Sequence, residues 1–472
     1  MDNNDRSLIP LPDGSLANIV AGTKRILSAM VEETLALGRD EAVGQTAKFR
    51  IGGYNWCEPD YRQILLWAEA LKMEPLTLIE KLVAGEESKD VATKFQDGRI
   101  LSLSWNWEAL PLSDFQCVKG ITIEKLRIYR ADMRSIALCM PSLCLFECYS
   151  CQIRSLTLSH IPNLSSLICG GNQFTKLDLS YVPNLTRFEC SFNCLIELDL
   201  SHVPKLTRLN CAGSKFTELD LSHLPSLINL DCSHNNLAEL DLSRVPNLTN
   251  LDCHGNQLTE LDLSHVSNLT NLDCAYNDLV ELDLSHVPNL TRLNSGYNSL
   301  TELNLSHIPS ISDLNCNSNL LTKLDLSHAP SLTGLCCIRN QLKELDLSYV
   351  RDLVHLYCSE NQIAELDISP VRKLSALYCA QNQLSALDLS YVPNLANLDC
   401  HGNQLTDLNL SRVAMLTELV CYENQIAELD ICQLLILEKL QSDEGRTRLV
   451  MRPDQGTPSS GWHSPSPPFP SP

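Results

Sequence analysis

The chain has 472 residues, with 57 acidic side chains against 36 basic ones and a formal charge of -21. That balance disfavours nucleic acid and anionic membrane as main partners, and no apolar run reaches the roughly 20 residues that a membrane span requires. The 21 cysteines do not suggest an exported disulfide scaffold, because the opening Met-Asp-Asn-Asn-Asp-Arg-Ser has neither the basic nor the apolar region of a cleaved signal. A reducing cytosol is the expected setting, with secretion lacking a cleaved signal as the alternative.

In chain order, residues 1–95 read as a helical N-terminal domain. Ile19, Ile26, Leu27, Met30, Leu35 and Leu37 suit one amphipathic helix. Pro59 opens a second, with Tyr61, Ile64, Leu65, Ala68 and Leu71 on its apolar face. Pro75 opens a third, with Leu76, Ile79, Leu82 and Val83, closed by Gly85. The last two faintly resemble a helix-turn-helix, but the second of them sets Glu74, Glu80 and Glu86 against Lys81, whereas a DNA-reading helix is basic. A capping or docking role is the expectation, with a DNA-binding regulator as a further alternative. Gly38 to Gly44 departs from a phosphate loop in spacing, and Gln45 stands where Lys must reach the phosphates. Residues 96–142 read as degenerate capping repeats, with Ile123, Leu126, Ile128, Met133 and Ile136 at a spacing of 20 from the next unit.

From 143 to 440 a unit of 21 residues recurs about 14 times. One column is Asn, from Asn172 and Asn193 through Asn235, Asn256 and Asn277 to Asn424, with Cys151 and Ser214 in phase. Three residues earlier runs a column of cysteines from Cys148 to Cys421, interrupted by Ser295. Self-similarity at a fixed period means a solenoid. Within one unit, Leu251 and Cys253 alternate with Asn250 and Asp252, the pattern of a short strand with one face in the core. Stacked copies are expected to pair as a parallel sheet, the Asn amides satisfying backbone groups of their own turn and of the adjacent coil. Leu258, Leu261 and Leu263 form the return side. The Cys148-Tyr-Ser-Cys151 pair falls on ladder phases, so it reads as core and not as a zinc or redox pair. The repeated Asp of Leu-Asp-Leu-Ser, as at Asp262, supplies too few oxygens per coil for calcium and is expected to bond turn amides. Residues 441–452 should close the stack, and the Pro/Ser-rich 453–472 should be a disordered tail.

The unit Leu-Asp-Cys-x-x-Asn-Gln-Leu-Thr-x-Leu-Asp-Leu-Ser resembles the cysteine-ladder leucine-rich repeats of bacterial surface proteins of the internalin J type. That resemblance implies an α/β-type solenoid, a leucine-rich-repeat horseshoe with a parallel β-sheet on its concave face, a mostly extended and turn-like return side, and a small N-terminal helical domain. It implies partner binding and no particular partner.

Function is expected on the positions the repeat leaves free. One strand column carries Asp231, Asp252 and Asp273, then Tyr357 and Tyr378. Its neighbour carries Arg187, Arg208, Asn250, Asn271, Arg292 and His355. A third set holds Phe192, His234, Tyr276, Tyr297, Arg339 and Tyr422. Arg and Tyr are frequent interface anchors. No catalytic motif is present, and neither a cofactor nor a metal is expected. The leading expectation is a non-enzymatic scaffold holding a protein partner on its concave face. The alternative is a host-directed bacterial effector or adhesin.

Overall fold

One buried residue between two outward-facing ones makes the typical strand of the 21-residue repeats three residues long. Asn250–Asp252 is typical: Leu251 is buried while Asn250 and Asp252 are half-exposed. The computed structural model describes residues 48–51, 54–83, 91–96, 99–106, 108, 121–443, 445–453 and 459. The chain divides into two compact units, Met1–Cys194 and Leu195–Pro472.

In the second unit, strands from Arg208–Asn210 to Glu418–Val420 recur every 21 residues and pair in parallel, each residue opposite its counterpart one coil on. The equal step keeps every strand leucine over the next, so Leu230, Leu251, Leu272 and Leu293 form one buried row. Burying each such side chain is worth roughly 1.5–3 kcal/mol. Coil-to-coil bonding continues past the strand. Cys253 N–H donates to Asp273 O at 2.8 Å, and His234 N–H donates to His254 O at 2.8 Å. The ladder cysteines are fully buried. Burial drives their thiol pKa values up, to about 12 for Cys358. Ser295 fills its ladder place with its Oγ donating to Asn315 O at 3.4 Å.

The Asn column bonds as expected. Asn256 Nδ2 donates to Cys253 O at 2.9 Å in its own turn and to Cys232 O at 3.1 Å in the coil before. On the return side, Ser264 N–H donates to Asp262 Oδ1 at 2.8 Å, an Asx turn that recurs down the stack. Leu258, Leu261, Leu263 and Val266 close the core behind it. At the far end, where the Asn phase falls on Gly445, Asp443 supplies the cap: its carboxylate accepts the N–H groups of Glu423 at 2.9 Å and Asn424 at 3.3 Å. Arg448–Val450 then pairs in parallel with Glu428–Asp430.

The residue before each Asn adopts the left-handed conformation. The column includes Phe192, His234, Tyr276, Tyr297, Ser318, Arg339, Glu360 and Gln381, with Gly213, Gly255 and Gly402 interspersed. This kink turns the chain from strand to return side, while in the second unit the N–H groups of His234, Tyr276, Tyr297, Ser318, Arg339, Glu360 and Gln381 still bond the next coil.

Among its described residues the first unit holds two helices, Glu58–Ala70 and Pro75–Val83. Pro59 sits in the opening turn, where a missing N–H costs nothing, and Lys72, at φ 52°, reverses the chain after Leu71. Ile64, Trp67, Leu78, Ile79 and Leu82 bury their inner faces, while Glu80 and Lys81 stay exposed. The helices alone do not account for this region, however. Val91–Gln96 and Arg99–Asn106 form an antiparallel hairpin across the 95/96 boundary, and Arg99–Asn106 continues in parallel to Lys125–Tyr129. Leu101-Ser-Leu-Ser-Trp105 alternates with the period of a strand, a signal that the sequence reading of this region overlooked. The buried Asp60 ties helix to sheet by accepting Ile100 N–H at 2.8 Å; burial raises its pKa. Lys125 pairs with Leu145, so the degenerate repeats step by 20 residues. The helix expected over 19–37, the Gly38–Gly44 segment and the tail beyond Pro453, except Ser459, lie outside the described residues. Among the described residues no helix is long and apolar enough to cross a membrane.

Candidate functional site

Alternate residues of a strand face opposite ways, so the two neighbours of each buried strand leucine share the outward face of the sheet. In the second unit, Asp231 stands opposite Asp252 and Asp252 opposite Asp273. Three half-buried carboxylates therefore lie one strand spacing, about 4.8 Å, apart. Burial raises the pKa of Asp231 and Asp273, and the Asp252 charge adds to it. Amides close the row at both ends. Asn210 Nδ2 donates to Asp231 Oδ2, and Asn294 Nδ2 donates to Asp273 Oδ2, each at 2.8 Å. Alongside, Asn271 Nδ2 donates to Asn250 Oδ1 at 2.6 Å, and Asn250 in turn donates to Asn229. Arg208 and Arg292 border this polar strip as exposed cations, Arg292 with its Nε 3.6 Å from Asp313 Oδ2. Arg187 belongs to the first unit, where Glu189 holds its guanidinium at 2.6 Å.

Two histidines complete the strip: His234, which the sequence set on the third column, and His254, which the sequence reading passed over. His254 Nδ1 lies 2.6 Å from Asp252 Oδ1, and its Nε2 lies 2.8 Å from His234 Nε2. The Asp252 hydrogen bond raises the His254 pKa above its ordinary value, against the opposing pull of burial. Further along, His401 Nδ1 makes the same 2.6 Å contact with Asp399.

The aromatic residues divide into two kinds. Tyr276 and Tyr297 sit on the left-handed column, largely exposed, with their rings stacked at 4.1 Å. Tyr422 does not share that column, as the sequence set had it; Glu423 does, and Tyr422 stacks instead on His401 at 4.6 Å. Tyr357 and Tyr378 do adjoin on paired strands and stack at 4.9 Å. Yet Tyr357 is only 4% exposed, with the buried Cys336 opposite it on the preceding strand. Burial pushes its phenol up to about 12. His355, on the same strand, is exposed. Of the three residues expected as one accessible patch, Tyr357 is packing.

The functional domain of InlJ from Listeria monocytogenes, which includes a cysteine ladder, matches this structure with a TM-score of 0.61 at 32% identity, over 72% of this chain and 70% of that one. The chain belongs to the cysteine-ladder leucine-rich-repeat family. Two more distant structures share the fold of this cysteine-ladder protein. A leucine-rich-repeat protein of Leptospira interrogans is 21% identical over 69% of this chain and 86% of its own, with a TM-score of 0.56. YopM from Yersinia enterocolitica is 23% identical over 75% and 91%, with a TM-score of 0.57. No protein-family model and no curated protein matches the chain.

Within the cysteine-ladder repeat, the missed histidines had a legible signal. Asp-Cys-His-Gly occurs at 252–255 and again at 399–402. With the cysteine turned into the core, the residues on either side of it must share the outer face.

Proposed function

We propose that this cysteine-ladder protein is a non-enzymatic recognition scaffold that holds a protein partner on the outward strand face. One observation carries the reading. The core leucines, ladder cysteines, Asn column and Asx turns repeat coil after coil and are spent on bonds within and between coils. Variation is concentrated on the residues flanking the strand leucine and on the left-handed column beside them. A uniform surface suits structure; a varied one suits selection of a partner. Tyr276 and Tyr297 offer stacked rings next to an acid-and-amide strip bordered by Arg208 and Arg292, and desolvated Tyr and Arg anchors are commonly worth about 2 kcal/mol or more. A reducing compartment suits the exposed thiols of Cys139 and Cys194.

The test is affinity capture with the full chain from cells that express it, using two surface variants checked for unchanged folding. One carries Arg208→Glu, Tyr276→Ala and Arg292→Glu. The other carries Glu281→Arg, Glu302→Arg and Glu344→Arg on exposed return-side positions. Loss of captured protein in the first variant alone is expected. Loss in the second alone would move the functional face to the return side.

A further inference from the structure

Among the described residues, Asp252, His254 and Asp273 are the one group of three that brings histidine and carboxylate donor atoms within 4.8 Å of one another. One imidazole nitrogen and two carboxylates match the donors of zinc-class ions, bound at about 2.0–2.2 Å. They suit calcium poorly, since it takes six to eight oxygens. Around a zinc-class ion, ligand atoms stand roughly 3–3.5 Å apart, so small side-chain rotations close the distance. The in-register pairing of the two strands holds Asp252 and Asp273 side by side for this.

Two of the three donors, His254 and Asp273, are also oriented from behind. Metal-binding histidines characteristically engage their second ring nitrogen with an outer partner. Here His254 Nε2 meets His234 Nε2 at 2.8 Å, which holds the ring from behind and leaves Nδ1, 2.6 Å from Asp252 Oδ1, as the nitrogen that faces the ion. His234 has room to reach it because the next residue on its column is Gly255: a Cβ there would stand 2.8 Å from His234 Nδ1. Asp273 is held by Asn294 Nδ2 at 2.8 Å and by Ala275 N–H at 3.1 Å. The Asp252 and His254 side chains are 16% and 18% exposed, sheltered from water yet reachable by an ion.

The molecule contains its own comparison. Asp399 and His401 form the same 2.6 Å contact in the same Asp-Cys-His-Gly sequence, with nearly equal exposure. There, however, the strand neighbours of Asp399 are Tyr378 and Val420, and His401 lies against Tyr422. The second pair lacks the third donor that Asp273 gives the first.

We propose that Asp252, His254 and Asp273 bind a divalent transition-metal ion of the zinc class, with His234 and Asn294 orienting the ligands. The site opens onto the strand face, leaving coordination positions for water or for a donor group of a bound partner. It does not depend on the partner reading, since the ion alone is the ligand tested.

The experiment is equilibrium dialysis of the full chain against zinc sulfate, after alkylation of the exposed thiols. One zinc per chain is expected, lost or weakened at least tenfold by His254→Gln and by Asp273→Asn and unchanged by His401→Gln. His234→Ala should weaken binding 10–100-fold as an orienting partner. Far-UV circular dichroism and melting of the metal-free variants guard against misfolding, and Asp273→Asn serves if His254→Gln proves unstable. Absence of stoichiometric zinc, or binding indifferent to Asp273→Asn, or an equal loss in His401→Gln, overturns the proposal.

Discussion

Asn256 reaches back one coil to accept the backbone N–H of Leu237 on its Oδ1 at 3.0 Å. With its Nδ2 bonded to Cys253 O and Cys232 O, one amide side chain satisfies buried backbone groups in two successive coils. The same set recurs at Asn277, Asn319, Asn340 and Asn382. It is the bond that turns a row of weak units into a stack.

Asn256→Ala should therefore destabilise by about 1–3 kcal/mol, because it orphans a buried N–H and buried carbonyls together. Asn250→Ala, which loses only half-buried side-chain bonds to Asn229, Asn271 and Thr249, should cost less than about 1 kcal/mol. Urea denaturation of both variants checks this, and equal losses would contradict the division of labour between the two positions.

The cysteine ladder should be chemically silent. Cys232, Cys253 and Cys274 are buried with thiol pKa values raised by burial, so they carry little thiolate at neutral pH. A thiol reagent added to native protein should label Cys139 and Cys194 and leave these three until denaturant is added. Cys253→Ser should cost only about 1 kcal/mol, since Asp273 O already lies 3.4 Å from Cys253 Sγ and would accept the hydroxyl, as Asn315 O accepts that of Ser295.

Ser318 takes the left-handed conformation at φ 51°, and its buried Oγ has no hydrogen-bond partner. Glycine adopts that conformation without the Cβ penalty of roughly 1–2 kcal/mol. Ser318→Gly should raise stability by about 1 kcal/mol. A drop in melting temperature would show that the column is not strained there.

Tyr357→Ala should act on stability before it acts on binding. Loss of a buried aromatic side chain costs about 3 kcal/mol or more, and its stack on Tyr378 goes with it. Tyr276→Ala, on an exposed ring, should leave the denaturation midpoint nearly unchanged. Similar losses in the two would contradict the burial described.

The pH dependence of stability should carry a mark of His401. Burial lowers its pKa, but the hydrogen bond and charge of Asp399, with Glu423 and Glu360, outweigh burial and raise it above 6.5. A folded pKa above the unfolded one stabilises fully below pH 6.5, and that stability fades as pH rises through the folded value. In metal-free buffer, wild-type protein should lose melting temperature from pH 6 upward more steeply than His401→Gln. Parallel curves would remove His401 from the account.

The period of the chain was legible because each coil meets only its neighbours, so register follows from counting. A step of 21 residues by itself puts Leu251 opposite Leu272 and Cys253 beside Cys274, and the alternation about each cysteine names the outward face. The N-terminal hairpin escaped, because Val91–Gln96 pairs by contact with Arg99–Asn106 and belongs to no repeat.

The amino-acid sequence by itself determined the solenoid, its buried thiols and its Asn column, since a fixed spacing of small and apolar residues admits one stacking. Only the tertiary structure decided which free positions are surface and which meet one another. Tyr357 and Tyr276 look alike as letters, yet one is walled in beside Cys336 and the other stacks in the open. The two Asp-Cys-His-Gly segments are identical in sequence and differ in what the adjoining coil sets beside them: Asp273 in one case and Val420 in the other. Local sequence fixes a residue's face through short-range backbone geometry, whereas a site is made by neighbours 21 residues away, which only stacking brings within bonding distance.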